Sequence, residues 1–272
     1  MISFPNCKIN LGLSVHEKRN DGFHNIETVF YPVMLTDMLE LLKTDKNDTE
    51  IELLGCAIDG KKEDNLCLKA FNLIKKKYDL GPVKIVLSKK IPHGAGLGGG
   101  SADAAFTLKM LSDFFQLNIS VEELQLLSSE LGSDCSFFIK NQPVFAYGKG
   151  EKFKSICVNL KGYEIVIIKS KISVNTAEAY KMIKPLKREM SIIDVVENFD
   201  ITQWKHLLIN DFEKPVFLKY PELEKIKQKL YEHGAIYSAM SGSGSAIFGI
   251  SSQFETIQKT DFPDCFFWKG VL

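Results

Sequence analysis

The sequence predicts an α+β protein built from two mixed domains, and three observations carry that prediction. Strand-like and helix-like patterns alternate along the 272 residues, a glycine-rich loop follows a strand-like run near residue 95, and no Gly/Ser-rich linker separates the two halves. We expect a first domain over residues 1–158 and a second over 159–272. Without a flexible linker the two should pack tightly, with the active site in a cleft between them.

The first half alternates between both kinds of element. Apolar residues at every second position predict strands, and apolar residues recurring every three to four positions predict helices. The predicted strands are 1–12, 28–34, 38–43, 51–54, 83–87, 137–139 and 144–147, and the predicted helices are 64–78, 102–115 and 120–131. The last helix opens on Ser120 with Glu123 three positions later, which is the capping-box pattern.

The second half favours one sheet covered by helices. Strands are predicted over 163–168, 235–240, 245–250 and 266–271, and helices over 176–183, 191–198, 202–208, 223–232 and 254–259. A glycine turn, Ser-Gly-Ser-Gly at 241–244, lies between two of these strands.

The composition excludes some classes of partner. Basic and acidic residues both number 34, so no bulk field attracts nucleic acid or an anionic membrane. No run of about 18 apolar residues and no secretory signal pattern is present, which favours a cytoplasmic protein. The six cysteines show no Cys-x-x-Cys pair, and we expect buried free thiols rather than a metal site or disulfides.

The most informative segment is the loop at 92–102. Its five glycines let the backbone approach a ligand closely, and the helix that follows offers unpaired N–H groups and a partial positive charge. These properties together suit the phosphates of a nucleotide.

Other glycine-loop sites fit less well. A dinucleotide fingerprint requires a following strand that ends in an acidic residue, but here two helices follow. A Walker loop requires a lysine where this chain has Gly100-Ser101-Ala102. A protein-kinase loop would come with a His-Arg-Asp segment, which this sequence lacks, and a purely structural turn would not need three consecutive glycines.

Three segments resemble the motifs of the GHMP kinases, which phosphorylate small molecules. The loop at 92–102 resembles their ATP-binding signature, residues 7–11 their first motif, and residues 241–245 their third. The resemblance implies a first domain like domain 2 of ribosomal protein S5, a ferredoxin-like second domain, and ATP and Mg²⁺ as cofactors.

The resemblance also implies roles at the ATP side of the site. Lys8 and Asp134 are the implied catalytic pair, with Asp134 as the base, and Ser101 is an implied Mg²⁺ ligand. The implied ATP-binding residues are Pro92, His93, Gly94, Ala95, Gly96, Leu97, Gly98, Gly99, Gly100, Ser101, Ala102, Asn65, Lys89, Gly242 and Gly244.

On the acceptor side, the segment at 19–24 is similar to that of a family member that phosphorylates a substrate with a cytidine diphosphate head, in the non-mevalonate route to isoprenoid precursors. The resemblance implies that Phe23 stacks on the cytosine with Tyr180 opposite, that His24 bonds the ring edge, and that Asn10 orients the polyol end. The family usually has tyrosine where this chain has Phe23.

Three alternatives stay open from the sequence. One is a kinase of the same family for homoserine or mevalonate, and the second is a non-catalytic nucleotide-binding regulator. The third is a dehydrogenase, which failure to bind a nicotinamide cofactor would dismiss. In each case we expect a monomer or weak homodimer that binds a small molecule, without nucleic acid or a membrane.

Overall fold

A computed structural model describes residues 1–56, 61–183, 185 and 188–272, and the chain divides into two compact units. Unit 1 comprises Met1–Cys7, Leu35–His93 and Gly98–Gln142. Unit 2 comprises Lys8–Met34, Gly94–Leu97 and Pro143–Leu272. Both units combine helices and sheets, which confirms the α+β prediction. The boundary between residues 158 and 159 stays a prediction.

Unit 1 contains a four-stranded sheet in the order β1-β4-β6-β5, in which β5 runs parallel to β6 and the other neighbours are antiparallel. Its centre is apolar because Leu41, Ile85 and Ile51 pair side by side and are all buried. The strands are β1 (Ile2–Ser3), β4 (Met38–Lys43), β5 (Glu50–Gly55) and β6 (Val83–Lys89).

Helix α2 lies at the centre of the helices of unit 1. The four helices described here are α1 (Leu66–Lys75), α2 (Gly99–Phe114), α3 (Val121–Ser129) and α4 (Cys135–Lys140). Helix α2 contacts the other three and strand β4, and its first turns bury Ala102, Ala104 and Ala105. These small side chains allow close packing around the helix that follows the glycine loop.

Unit 2 contains two four-stranded sheets, with the strand orders β2-β3-β7-β8 and β10-β11-β9-β12. The strands of the first are β2 (Asn6–Lys18), β3 (His24–Thr36), β7 (Val144–Gly148) and β8 (Lys152–Ser155). Those of the second are β9 (Glu164–Lys169), β10 (Tyr237–Met240), β11 (Ile247–Ser251) and β12 (Phe266–Val271). The second sheet is antiparallel throughout.

In unit 2, helix α9 packs on strands β10 and β11 of the second sheet, and α7 packs on β10. The helices of this unit are α5 (Thr176–Met182), α6 (Ile192–Asn198), α7 (Trp204–Leu207), α8 (Glu213–Lys219) and α9 (Pro221–Glu232). One apolar core joins early and late parts of the chain, because Leu13 and Val15 of β2 belong to the same cluster as Val166, Phe212 and Leu230.

Three predicted elements were wrong. Residues 137–139 lie in helix α4, since a short apolar run does not distinguish a buried helix from a strand. Residues 254–259 form no helix, and only the 3₁₀ turn Lys259–Asp261 follows, because the Phe254 amide donates to Glu164 instead. The predicted strand 1–12 is interrupted between β1 and β2 at Pro5, which cannot donate a ladder hydrogen bond. Helix α8 was not predicted.

The cysteine prediction was correct in part. All six thiols are free, but only Cys7, Cys67 and Cys135 are buried, whereas Cys56 and Cys157 are exposed. Across the residues that the structure describes, no helix has both the length and the apolar character needed to cross a membrane.

Candidate active site

Two buried polar side chains, Lys8 and Asn10, lie two positions apart in the first half of strand β2. Lys8 is 3 % exposed and Asn10 is 2 % exposed. The Lys8 Nζ donates to Asn10 Oδ1 at 2.6 Å and to the carbonyl oxygen of Gly96 at 2.9 Å, and it lies 4.8 Å from the ring centroid of Phe30. Burying a lysine is costly, so these contacts hold the ammonium in one place.

The first part of the glycine loop lies against the C-terminal glycine turn. The amide of Ala246 donates to the carbonyl of Ala95 at 3.1 Å, and the Ser241 hydroxyl donates to that of Gly96 at 2.8 Å. Unit 2 therefore brings together Lys8, loop residues 94–97 and the turn at 241–245, which are three of the sequence-predicted segments.

A buried asparagine that the sequence analysis missed fixes the glycine turn. The Asn210 Nδ2 donates to the carbonyls of Met240 at 2.7 Å and Gly242 at 2.8 Å. Asn210 is 1 % exposed and lies outside every helix or strand, so no periodicity marked it. A buried amide between two carbonyls keeps the turn in a single conformation.

The second part of the glycine loop starts helix α2 in unit 1. Gly98 is the N-cap residue with φ 70°, a left-handed conformation that favours glycine. No side chain caps this end of the helix. The backbone amides of its first turn can therefore donate hydrogen bonds to an anion.

Asp134 and Ser101 are connected within unit 1 through Cys135. Asp134 is half-buried and immediately precedes α4, whose first residue is Cys135. The Ser101 hydroxyl is near enough to the Cys135 thiol to lower its pKa, but burial outweighs this effect and raises the pKa of the thiol to about 11. A buried, protonated thiol has no role as a nucleophile here. It links the first turn of α2 to the segment that carries Asp134.

Asn65 also lies beside the start of α2. It caps helix α1, where its Oδ1 accepts from the amide of Cys67 at 2.9 Å. A Cβ on Gly100 would stand 3.7 Å from Leu66, the next residue. This places Asn65 close to the loop, as a nucleotide contact requires.

Lys89 has an internal role that the sequence analysis did not foresee. Its ammonium is buried against the carboxylates of Asp37 and Asp103, and the distance to Asp103 Oδ2 is 2.6 Å. Burial alone would lower the pKa of Lys89, but the two carboxylates outweigh it and the pKa is raised. This geometry gives no support to a contact between the Lys89 ammonium and adenine, and it ties the end of β6 to α2.

The acceptor-side residues Phe23 and His24 follow a hairpin turn. Gly22 has φ 85°, and the Asp21 carboxylate accepts from the amide of Phe23 at 3.2 Å and from Arg19 Nε. Phe23 is 59 % exposed, and the Lys149 ammonium lies 5.0 Å from its ring centroid. The turn therefore presents an aromatic face that is open to a ligand.

Tyr180 stacks on His24 in unit 2. The rings of Tyr180 and His24 are stacked with centroids 5.3 Å apart and planes 19° apart, and Phe212 meets Tyr180 edge-on at 4.9 Å. The expectation that cytosine lies between Phe23 and Tyr180 stays a prediction. The observed aromatic pair is His24 with Tyr180.

Family models match both halves of the chain. The N-terminal domain of the GHMP kinases matches residues 65–149, and the C-terminal domain of the GHMP kinases matches residues 192–259. This chain belongs to the GHMP kinase family. Membership implies ATP as the phosphoryl donor, and it accounts for the glycine loop at the start of α2.

Relatives within the GHMP kinases match over the full length. A protein of Parabacteroides distasonis is 47% identical over 100% of both chains, and one of Bacteroides thetaiotaomicron is 49% identical over 100% of both. A relative in Thermodesulfovibrio yellowstonii is 38% identical over 93% of this chain and 90% of its own. Each of the three is named 4-diphosphocytidyl-2-C-methyl-D-erythritol kinase.

Solved structures share the fold. A crystal structure of 4-(cytidine 5'-diphospho)-2C-methyl-D-erythritol kinase has a TM-score of 0.81 at 27% identity, covering 99% of this chain and 98% of its own. A mevalonate kinase reaches 0.76 at 17% identity, over 99% and 98% of the two chains, and shows the fold alone.

Proposed function

We propose that this chain transfers the γ-phosphoryl group of ATP to the 2-hydroxyl of 4-diphosphocytidyl-2-C-methyl-D-erythritol. The observation that carries the proposal is the similarity to kinases of that name, at 47% and 49% identity over 100% of both chains. The exposed aromatic at Phe23, held by its hairpin turn, supports an acceptor with a nucleobase. The reaction belongs to the non-mevalonate route to isoprenoid precursors.

The donor end of the proposed site consists mainly of backbone. The amides of the first turn of α2 and the positive end of its dipole suit the β- and γ-phosphates. Residues 242–244 of the C-terminal turn are the proposed second contact to the nucleotide.

Mg²⁺ fits the oxygen donors near this helix end. Ser101 offers a hydroxyl in the first turn of α2, and Mg²⁺ prefers oxygen ligands together with phosphates and water. Bound there, the ion would neutralise phosphate charge. We propose Ser101 as a ligand.

Two side chains are assigned to the proton and the charge of the attacking hydroxyl. Asp134 is the proposed base that accepts the hydroxyl proton as the oxygen attacks. Lys8, whose ammonium is fixed by Asn10 and Gly96, is the proposed cation that stabilises the developing alkoxide. Phosphoryl transfer depends chiefly on such positioning and charge neutralisation.

Consumption of ATP against a panel of hydroxyl acceptors tests the proposal. The panel comprises the cytidine-headed substrate, its uridine counterpart, mevalonate and homoserine. We expect turnover with the cytidine-headed acceptor and at least about a hundredfold lower kcat/KM with the last two. Preferred use of mevalonate or homoserine would replace this function with that of another GHMP kinase. A cytoplasmic location and a monomer or weak homodimer remain predictions.

A further inference from the structure

The hydrogen bond between Lys8 and Asn10 belongs to a longer buried chain, whose other end at Thr28 the proposed mechanism does not use. It starts at Thr28 of strand β3, which is fully buried. The Asn10 Nδ2 donates to Thr28 Oγ1 at 3.0 Å, and the Thr28 hydroxyl donates to the carbonyl of Gly12 at 2.6 Å. Asn10 Oδ1 then accepts from Lys8 Nζ at 2.6 Å.

The direction of these bonds follows from the chemistry of the hydroxyl. A threonine has one O–H, and that of Thr28 is given to the Gly12 carbonyl. Only its lone pairs remain for Asn10, so Thr28 can accept from the amide nitrogen but cannot donate to the amide oxygen. This selects one of the two orientations of the Asn10 side chain and turns Oδ1 toward the ammonium.

The opposite orientation would be costly. It would direct an N–H₂ group at the ammonium and leave an amide oxygen against the Thr28 lone pairs. The position of the Lys8 ammonium thus depends on the orientation of the Asn10 amide, and that orientation depends on the hydroxyl of Thr28.

We propose that Thr28 is a positioning residue that acts through Asn10 to hold the Lys8 ammonium where the acceptor hydroxyl reacts. This inference rests on the proposed function for its catalytic part. In the proposal, the effect of Thr28 on turnover passes through the Asn10 amide.

Removal of the hydroxyl tests the inference. Thr28→Val replaces the hydroxyl with a methyl group and keeps the branched shape. Thr28→Ala removes the hydroxyl without adding a methyl group, and Thr28→Ser keeps the hydroxyl. We expect both deletions to lower kcat about tenfold or more, with ATP affinity within about twofold, and Thr28→Ser to stay within about threefold of wild type. Unchanged kcat in either deletion would overturn the proposal.

The matched control is Thr107→Val in helix α2. Thr107 is also fully buried and donates its hydroxyl to a backbone carbonyl, that of Asp103, at 2.7 Å. It carries no connection to Asn10, so its loss should lower the melting temperature without lowering kcat. An equal loss of kcat in Thr107→Val would show a general effect of core damage and would contradict the proposal.

A double-mutant cycle tests the route through Asn10. In an Asn10→Ala background, Thr28→Val should have almost no further effect on kcat, because the connection is already broken. A tenfold loss that persists in that background would exclude Asn10 as the intermediary.

A readout without substrates separates this inference from the proposed function. The ammonium signal of Lys8, assigned with Lys8→Arg, can be followed by ¹⁵N NMR in the unliganded chain. We expect Thr28→Val to shift and broaden that signal and Thr28→Ser to leave it near its wild-type position. An unmoved signal in Thr28→Val would overturn the positioning role. A chain that fails to phosphorylate the proposed acceptor, yet shows this shift, would overturn only the proposed function.

Discussion

The backbone of Gly96 lies directly against the carbonyl oxygen of Ser241. An ideal Cβ on Gly96 would stand 1.9 Å from that oxygen, far inside van der Waals contact. This contact joins the glycine loop to the C-terminal glycine turn. The carbonyl oxygen of Gly96 accepts hydrogen bonds from both the Ser241 hydroxyl and the Lys8 ammonium. The third motif therefore acts as a support for the loop.

Gly96→Ala should consequently be far more damaging than Gly94→Ala. Both glycines have positive φ, 76° and 61°, so both substitutions strain the backbone alike. A Cβ on Gly94 meets only the Ser173 hydroxyl at 3.9 Å. We expect kcat/KM for ATP to fall at least about a hundredfold in Gly96→Ala and less than about tenfold in Gly94→Ala. Equal values of kcat/KM for the two variants would contradict this prediction, because they would mean that a Cβ at position 96 is accommodated against Ser241 without loss of function.

Asp134→Asn should lower kcat at least about a hundredfold and leave the Kd for ATP nearly unchanged, because a general base contributes roughly 10²–10⁴-fold. Single-turnover kinetics and ATP titration separate the two quantities. Asp113→Asn is the control, since Asp113 is an exposed carboxylate of the same unit. Wild-type turnover in Asp134→Asn would remove Asp134 from the mechanism.

Phe23→Ala should weaken acceptor binding by roughly 1–3 kcal/mol, the range for a nucleobase stacked on an aromatic ring. ATP binding should not change. Phe4→Ala is a matched control, because Phe4 is 58 % exposed and Phe23 is 59 % exposed. The KM and Kd for the acceptor measure the effect, and equal values for both variants would exclude stacking on Phe23.

His24→Ala should reduce the preference for cytidine-headed over uridine-headed acceptors, since only a hydrogen bond to the ring edge distinguishes these bases. The ratio of the two kcat/KM values is the measurement. Loss of the stacked contact with Tyr180 should also raise the acceptor KM. A ratio equal to that of wild type would assign the discrimination to another residue.

The buried cluster of Lys89, Asp37 and Asp103 should make stability depend on pH. The pKa of Asp103 is raised to about 7, because burial and the nearby Asp37 carboxylate raise it by more than the Lys89 ammonium lowers it. Between about pH 4 and pH 7 the folded chain therefore holds a proton that the unfolded chain has lost, so this group's contribution to stability falls as pH rises through that window.

Asp103→Asn should flatten that dependence, because the amide resembles the neutral carboxyl and does not titrate. Melting temperatures at pH 5 and pH 8 measure it. Asp37→Asn should be more destabilising at both pH values. Asp37 Oδ1 accepts from the amides of Lys90 at 2.5 Å and Ile91 at 2.8 Å, so an asparagine that keeps these bonds would turn its NH2 group toward the Lys89 ammonium in place of Oδ2. A wild-type slope retained in Asp103→Asn would assign the titration elsewhere.

Local patterns in the sequence were sufficient to predict most of the helices and strands and to locate the glycine loop at 92–102. Ser120 caps α3 as predicted, with its hydroxyl accepting from the amide of Glu123 at 3.2 Å. The second half of the predicted capping box is not formed, because the Glu123 carboxylate instead accepts from Tyr78 at 2.7 Å and from Lys77. A partner 45 residues away cannot be found from a four-residue pattern.

The same limit applies to the site. Lys8 and Asn10 were identified through the resemblance to a family, since each alone would be an ordinary polar residue in a strand. Thr28 and Asn210 were missed because their importance lies in which carbonyl or amide they meet, across 18 and 30 residues of chain. The partners of Lys89 became visible only when β4, β6 and α2 were assembled.

The apolar cluster of unit 2 has a consequence for synthesis on the ribosome. Leu13, Val15 and Ile26 are made long before Phe262, which belongs to the same cluster. At roughly 5–20 residues per second, about 250 further residues take on the order of 10–50 s. During that interval the early strands lack the side chains that finally cover them. Unit 1 is complete once residue 142 has emerged, so we expect it to fold first, while the nascent strand β2 depends on chaperones to avoid aggregation.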